Sequence, residues 1–216
     1  YFTFEVQVID DKNVNVGAEG EPNWSGALVC HKIIQHADGT LTLGEVDNIK
    51  NKYANASENK LITSNGATIS GNEYTLQGDN AYVLFSRLAT HNHISFTVTT
   101  SNEWDKFGIS LVRGTDSEKY YTMVVNPENE NSRKVNFEQE GTQGKGFIEG
   151  IDGYWFNRPA DNVYNINIYT DNSVMVMYIN DVCCYTNRIY GIQKNCWSIN
   201  NYGGNVKITD LHVTNY

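Results

Sequence analysis

The amino-acid sequence predicts an all-β protein, a two-sheet antiparallel β-sandwich preceded by a strand-rich extension. Three observations predict it. Short runs of β-branched and aromatic residues recur along the 216 residues, turn-forming pairs separate them, and no segment carries a clean helical stripe. The sharpest run lies in YTDNSVMVMYINDVCC, Tyr169 to Cys184. Its centre, VMVMYI, is apolar at every position, whereas a strand with one wet face alternates. Val174 to Ile179 is therefore expected to be covered on both sides.

Each element follows from the same chemistry. YFTFEVQV (1–8) and GALVCHKII (26–34) read as strands, and GTLTL (39–43) follows the turn Ala37-Asp38-Gly39. Leu43 to Asn55 lacks apolar residues at i, i+3 and i+4, and reads as connecting chain with one turn. The polar, turn-rich KNKYANASENK (50–60) marks a boundary, giving an extension over 1–55 and a sandwich over 56–216. Within the sandwich, strands are expected at AYVLFSRL (81–88), HISFTVTT (93–100), KFGISLVR (106–113), YYTMVV (120–125), KVNFEQE (134–140), YNINIYT (164–170), SVMVMYI (173–179) and NVKITDLHV (205–213). HISFTVTT and YNINIYT alternate, so each has one face inward and one wet. Asn65-Gly66, Gly71-Asn72, Asn180-Asp181 and Tyr202-Gly203-Gly204 are turn sequences. The three prolines, Pro22, Pro127 and Pro159, fall between strands, as suits residues that cannot donate to a ladder.

Composition excludes several function classes. A net charge of −9 with 19% charged residues is a poor match to phosphate backbones, whose affinity comes from basic residues, so nucleic acid is not an expected partner. No window approaches the roughly 18 consecutive apolar residues of a membrane span. The chain opens on a strand pattern instead of a charged, then apolar leader, which favours a fragment of a longer protein. Cys183 and Cys184 are adjacent on a strand and should point to opposite faces. With Cys30 and Cys196 they read as buried free thiols, a disulfide from Cys196 to one of the pair being the alternative. The histidines, His31, His36, His91, His93 and His212, are scattered; His91-x-His93 could share a metal, but no third ligand is evident. No metal or cofactor is expected.

Asp171-x-Ser173, the apolar strand, Asn180-Asp181 and Thr186-Asn187-Arg188-Ile189-Tyr190 together resemble the C-terminal β-sandwich of glycoside hydrolase family 32. That family typically carries D-x-S-x-x-E-x-F-x-N-D-G and then T-S-R-I-Y-P in this place. Trp24-x-Gly26-Ala27-Leu28-Val29 and Asp38-Gly39-Thr40-Leu41 look like a last propeller strand and its exit. Phe107-Gly108-Ile109-x-Leu111 and Val206-x-Ile208-x-x-Leu211-x-Val213 look like strands of the same sandwich. The likeness covers most of the chain, weakly in the middle. It implies a concanavalin-like jelly roll, a catalytic propeller as neighbour, carbohydrate (fructan by analogy) as partner, and an extracytoplasmic location.

The resemblance does not imply a catalyst in these residues. The family's W-x-N-D-P-N-G, R-D-P and E-C motifs are absent, and retaining glycosidases need two carboxyl groups about 5 Å apart. Val176 stands where the family has Glu, and Val182 where Gly usually follows Asn-Asp. In the related levan-binding modules, carbohydrate-binding module family 66, acidic and aromatic residues on this sandwich hold fructose. Losing that carboxylate removes a charge-assisted acceptor for hydroxyls and makes the strand more apolar. The expectation is a noncatalytic accessory module. The alternatives are a purely structural support for a propeller, or a fragment of an intact fructoside hydrolase.

Sugar sites pair a flat ring, which stacks on C–H faces, with a few polar groups that fix hydroxyls. Tyr154-Trp155 beside Asn157 and Arg158, expected in a loop, is the first candidate; Trp104 with Glu103 and Asp105 is the second. Either tryptophan could instead plug a sandwich end, and Trp197 in CWSINNY reads as core. Asp171 and Ser173 are expected to close their turn through backbone hydrogen bonds, with ligand contact as the alternative. Arg188 either braces the sheet against a carboxylate such as Asp171 or faces a sugar.

Overall fold

A computed structural model describes residues 2–6, 27–113, 119–127, 134–141, 154–189 and 191–216. β1 (Phe2–Val6), β2 (Ala27–Gln35) and β3 (Leu41–Gly44) form a separate antiparallel sheet in that order. The β2–β3 turn closes through Asp38, whose Oδ1 accepts from the Thr40 amide at 3.0 Å, with Gly39 at φ +85°. A single helical turn, α1 (Asp47–Lys50), lies within the connecting chain, as its sequence predicts.

The remaining strands build the sandwich: β4 (Asn55–Ala56), β5 (Leu61–Asn65), β6 (Ala67–Ser70), β7 (Glu73–Phe85), β8 (His91–Thr100) and β9 (Phe107–Arg113). Then come β10 (Lys119–Asn126), β11 (Lys134–Gly141), β12 (Tyr154–Trp155), β13 (Val163–Asp171), β14 (Val174–Ile179), β15 (Cys183–Arg188) and β16 (Cys196–Asn215). Their hydrogen-bonded order is β12-β11-β10-β9-β16-β8-β13-β14-β15, with β7 also on β16. β16 belongs to both layers. Its first half pairs with β9 and its second half with β8.

This arrangement corrects one turn. Tyr202-Gly203-Gly204 does not reverse the chain; it bends β16 from one layer into the other. The register against β7 shifts on either side of Tyr202, and Gly203 and Gly204 take φ of +119° and +75°. Glycine permits that bulge, but the ladder resumes beyond it, so pairing outweighs the local turn preference. Tyr154-Trp155 is likewise paired, to Val135 and Lys134, and not in a loop.

Alternation fills the space between the layers. Ile94, Phe96 and Val98 of β8, Phe107, Ile109 and Leu111 of β9, Tyr164, Ile166 and Ile168 of β13, and Trp197 and Ile199 of β16 meet in one core. Each such side chain contributes on the order of 1.5–3 kcal/mol by leaving water. β14 divides its side chains between two cores. Met175, Met177 and Ile179 enter the main one, while Val176 and Tyr178 join Val29, Tyr53, Tyr169 and Cys184. The second cover is thus supplied by the extension, which lays Val29, Leu43 and Tyr53 over the outer face of β13 to β15. Cys183 and Cys184 separate between the two cores as adjacent strand residues must, and all four cysteines are free thiols.

Candidate functional site

The loop from Ser101 to Lys106 joins β8 to β9 at one rim of the sandwich. Asp105 organises it from beneath. Its Oδ2 accepts from Ser101 Oγ and the Asn102 amide, both at 2.9 Å, and from the Asn205 amide at 3.4 Å. The carboxylate also rests on Gly204, where a Cβ would come within 2.1 Å of Oδ1. Asp105 is only 9% exposed, so it is committed to the loop. Trp104, one residue earlier, is turned outward and stays 40% exposed.

Arg158 reaches this tryptophan from the segment that enters β13. Its Cζ lies 5.2 Å from the Trp104 ring centroid, Nη2 is 2.7 Å from Glu103 Oε2, and Nη1 donates to Asn162 Oδ1 at 3.0 Å. Asn162 sits in the left-handed region (φ +58°), which asparagine tolerates better than most residues, and its amide donates to Pro159 O. Arg158 Nε is buried and has no hydrogen-bond partner among the described residues. An exposed cation–π contact gives about 0.5–1 kcal/mol and a half-exposed ion pair less than about 1 kcal/mol. The cluster therefore adds little to stability, while it sets an aromatic face beside a donor and an acceptor.

Trp104, Glu103 and Arg158 are thus brought together, with Asp105 below them. Tyr154 and Trp155 lie in edge strand β12, but their side chains fall outside the described residues, as does Trp24. Asp171 and Arg188 belong to the other end of the sandwich. Along β13, Val163 pairs with Thr99 near the rim and Asp171 pairs with His91, eight residues further on. That separation is about 26 Å at 3.3 Å per residue, too far for one shared sugar ring. Asp171 Oδ1 stands 3.0 Å from His91 Nδ1 and accepts from Asn172 Nδ2 at 2.8 Å. Arg188 pairs with Val174 through its backbone, and its side chain lies outside the described residues. His91 stacks on Tyr216 and His93 on Tyr169, and no three His, Cys, Asp or Glu residues gather as a metal site among the described residues.

Two polar groupings escaped the sequence reading. One joins the extension to the sandwich. Glu45, nearly buried, accepts from Tyr169 Oη and pairs with Lys50 at 3.1 Å. Fully buried His31 places Nδ1 2.9 Å from Tyr178 Oη and 3.2 Å from Cys184 Sγ. Burial lowers His31 to about 4 and raises the Cys184 thiol. Both groups are therefore neutral at pH 7, so the pair is a packing contact without the thiolate a nucleophile requires. Val176, at the position of the family's Glu, sits 8% exposed in the same joint. The second grouping crosses the other sheet: Ser110, Thr122, Ser198 and Asn200, all buried. Strict alternation in FGISL and WSIN was the signal that could have revealed it.

Residues 39–213 match the protein family described as GH32, BT1760-like, C-terminal domain. No curated protein sequence matches the chain. Carbohydrate binding module CBM66 from Bacillus subtilis superposes with a TM-score of 0.57 at 9% identity, over 74% of this chain and 97% of that one. Exo-inulinase from Aspergillus awamori gives 0.56 at 10% identity, covering 93% of this chain and 37% of the enzyme. Aspergillus kawachii beta-fructofuranosidase gives 0.54 at 12% identity, covering 99% and 36%. At such identities the likeness is one of fold, and this chain spans little more than a third of either enzyme.

Proposed function

We propose that this chain, which belongs to the GH32 BT1760-like C-terminal domain family, is a noncatalytic module that holds carbohydrate at its rim. The observation that carries the reading is the exposed Trp104 ring, flanked by Arg158 and Glu103 and propped up by a buried Asp105. A sugar's C–H face stacks on the indole, while Arg158 donates to hydroxyls and Glu103 accepts from them through charge-assisted bonds. Fructan is the ligand class, because family membership and fold likeness to an exo-inulinase and a beta-fructofuranosidase both point that way. Bond cleavage belongs to a propeller domain, since the family's three catalytic motifs are absent here. Residues 1–55 serve as the joint to that propeller and 56–216 as the sandwich proper. A polymeric substrate places the module outside the cytoplasm; no helix among the described residues is long and apolar enough to cross a membrane.

Titration calorimetry with levan and inulin oligosaccharides tests this. The protein should bind at least one of them, and Trp104→Ala should weaken binding about tenfold with little change in melting temperature. Absence of binding to every fructan at millimolar concentration overturns the reading.

One observation favours a second reading, a purely structural support for the propeller: Val176 is sealed beneath the extension where a carboxylate would otherwise face a ligand. Deleting the sandwich from the full-length protein would then lower its stability and leave sugar affinity unchanged.

A further inference from the structure

The rim opposite Trp104, where β8 begins and β13 and β16 end, gathers a second set of exposed side chains. Alternation along β8 sends His91 to the same face as His93, and register sets Asp171 of β13 beside it. Tyr216 follows the last residue of β16 and lays its ring on the His91 imidazole, with centroids 4.5 Å apart and planes 29° from parallel. Buried Tyr53, which the extension supplies, meets Tyr216 nearly at right angles at 4.9 Å. His91 Nδ1 lies 3.0 Å from both Asp171 Oδ1 and Tyr216 Oη. Asn172, at φ +54°, donates from Nδ2 to Asp171 and from its backbone amide to Thr90 O, and Gln193 Nε2 donates to Thr90 Oγ1. These groups face water. Tyr216 is 49% exposed, the side chains of Asp171 and His91 are 55% and 30% exposed, and Asn172 and Gln193 are exposed as well. Among the described residues, Asp171 Oδ2 and His91 Nε2 have no hydrogen-bond partner.

We propose that this end is a second carbohydrate site, with Tyr216 as the stacking ring and Asp171, His91 and Asn172 as the groups that fix hydroxyls. It rests on the reading that the module holds carbohydrate, but it shares no residue with the Trp104 site. Asp171 sets the histidine tautomer: the proton sits on Nδ1, toward the carboxylate, and Nε2 of the neutral ring is left as an acceptor. Asp171 Oδ2 is a second, charge-assisted acceptor, and the Asn172 amide keeps one N–H to donate. An exposed aromatic ring beside a few oriented polar groups is the complement of a neutral polyhydroxylated ring. An ion pair this exposed adds little to stability, so the cluster does less for the fold than for the surface it orders. Tyr53 backs the platform, which ties the site to a docked extension. The two sites lie about 26 Å apart along β13, so a polymeric fructan can engage one chain at both ends.

Nitrogen-15 spectra of the protein titrated with short levan-type and inulin-type oligosaccharides test the proposal. In the unaltered protein the Asn172 and Gln193 side-chain amides should shift and saturate, as should the Trp104 indole. In Trp104→Ala the amide shifts should persist. In Tyr216→Ala they should vanish while the indole still responds, and Tyr216→Phe, which keeps the ring, should retain them. Toward polymeric fructan in affinity electrophoresis, either alanine variant should bind about tenfold more weakly than the unaltered protein. Asn172 and Gln193 amides that stay unmoved in the unaltered protein, or that shift undiminished in Tyr216→Ala, overturn the second site and leave the Trp104 site standing if its indole responds. Shifts at those amides with an unmoved indole sustain the second site and overturn the first. If neither set moves with any fructan at millimolar concentration, both fall together.

Discussion

Restoring the family's carboxylate, Val176→Glu, gives the sharpest test of how the extension closes over the sandwich. Val176 is 8% exposed and packs with Tyr53, Tyr169, Tyr178, Val29 and Cys184. Its cross-strand partner is Tyr169, whose hydroxyl already donates to Glu45. A glutamate there would forfeit part of the roughly 1.5–3 kcal/mol that the buried isopropyl group contributes. It would also bring a second carboxylate to a tyrosine that already serves one. The combined loss is about 3–5 kcal/mol at pH 7, or roughly 6–20 °C in melting temperature for a chain of this size.

The pH dependence carries its own sign. Burial and the nearby Glu45 would raise the new carboxyl in the folded state, so the folded protein would bind the proton more tightly than the unfolded chain. The electrostatic penalty is therefore absent below the unfolded value near 4.3 and grows as pH rises through the raised folded value. Urea denaturation of both proteins at about pH 3.5 and 7.5 separates the two parts, because only the packing loss persists at the lower pH. Equal stability at neutral pH, or a deficit that does not change with pH, would refute the closed joint. A gain in fructan affinity at unaltered stability would do so too, since it would mean that the face is open.

Three further outcomes follow from the same contacts. Fully buried His31 is lowered to about 4 against 6.5 unfolded, so its contribution is complete above pH 6.5 and is lost as pH falls toward 4. His31→Gln should flatten that slope by up to about 3 kcal/mol in pH-resolved denaturation, and an unchanged slope refutes the assignment. Cys183, pushed up to about 11 by burial, and Cys184, raised further, should resist a thiol reagent until the protein unfolds. Fast native labelling in a Cys30→Ala, Cys196→Ala background would contradict this. Gly204→Ala meets both a positive φ and Asp105 Oδ1 at 2.1 Å, and should cost about 2–4 kcal/mol and alter Trp104 fluorescence. Wild-type melting and emission would show that Asp105 does not seat the loop there.

Strand pattern made most of the sandwich legible, because a period of two is a local signal that tertiary contacts reinforce. The two-sided apolar run at Val174 to Ile179 even announced a second cover before any partner for it was known. The partner itself was not legible, since Val29, Leu43 and Tyr53 lie more than 100 positions away and look like ordinary extension residues. The bend at Gly203-Gly204 was hidden for the opposite reason: glycine pairs signal turns, and only the ladder to β7 shows that the strand continues. At the rim, Trp104 and Arg158 were each singled out, but their meeting depends on the β8–β13 pairing. Asp105 looked available for a hydroxyl until the buried amides around it were placed.

The extension and Val176 make sense only together. With Val29, Leu43 and Tyr53 seated over β14, a carboxylate at position 176 would have neither water nor a ligand hydroxyl to replace its hydration, and valine removes that conflict. The outer face of β13 to β15 is then closed by the chain's own N-terminal residues. The opposite sheet holds the reverse chemistry, a buried, hydrogen-bonded polar row of Ser110, Thr122, Ser198 and Asn200. Two faces built from the same alternating strands thus diverge because one is covered by apolar side chains and the other supplies its own donors and acceptors. Neither row is open to solvent, so the search for a ligand turns to the rim. Soaking a crystal with a fructo-oligosaccharide should accordingly place sugar density against Trp104, and density over β14 beside Val176 would overturn the closed joint.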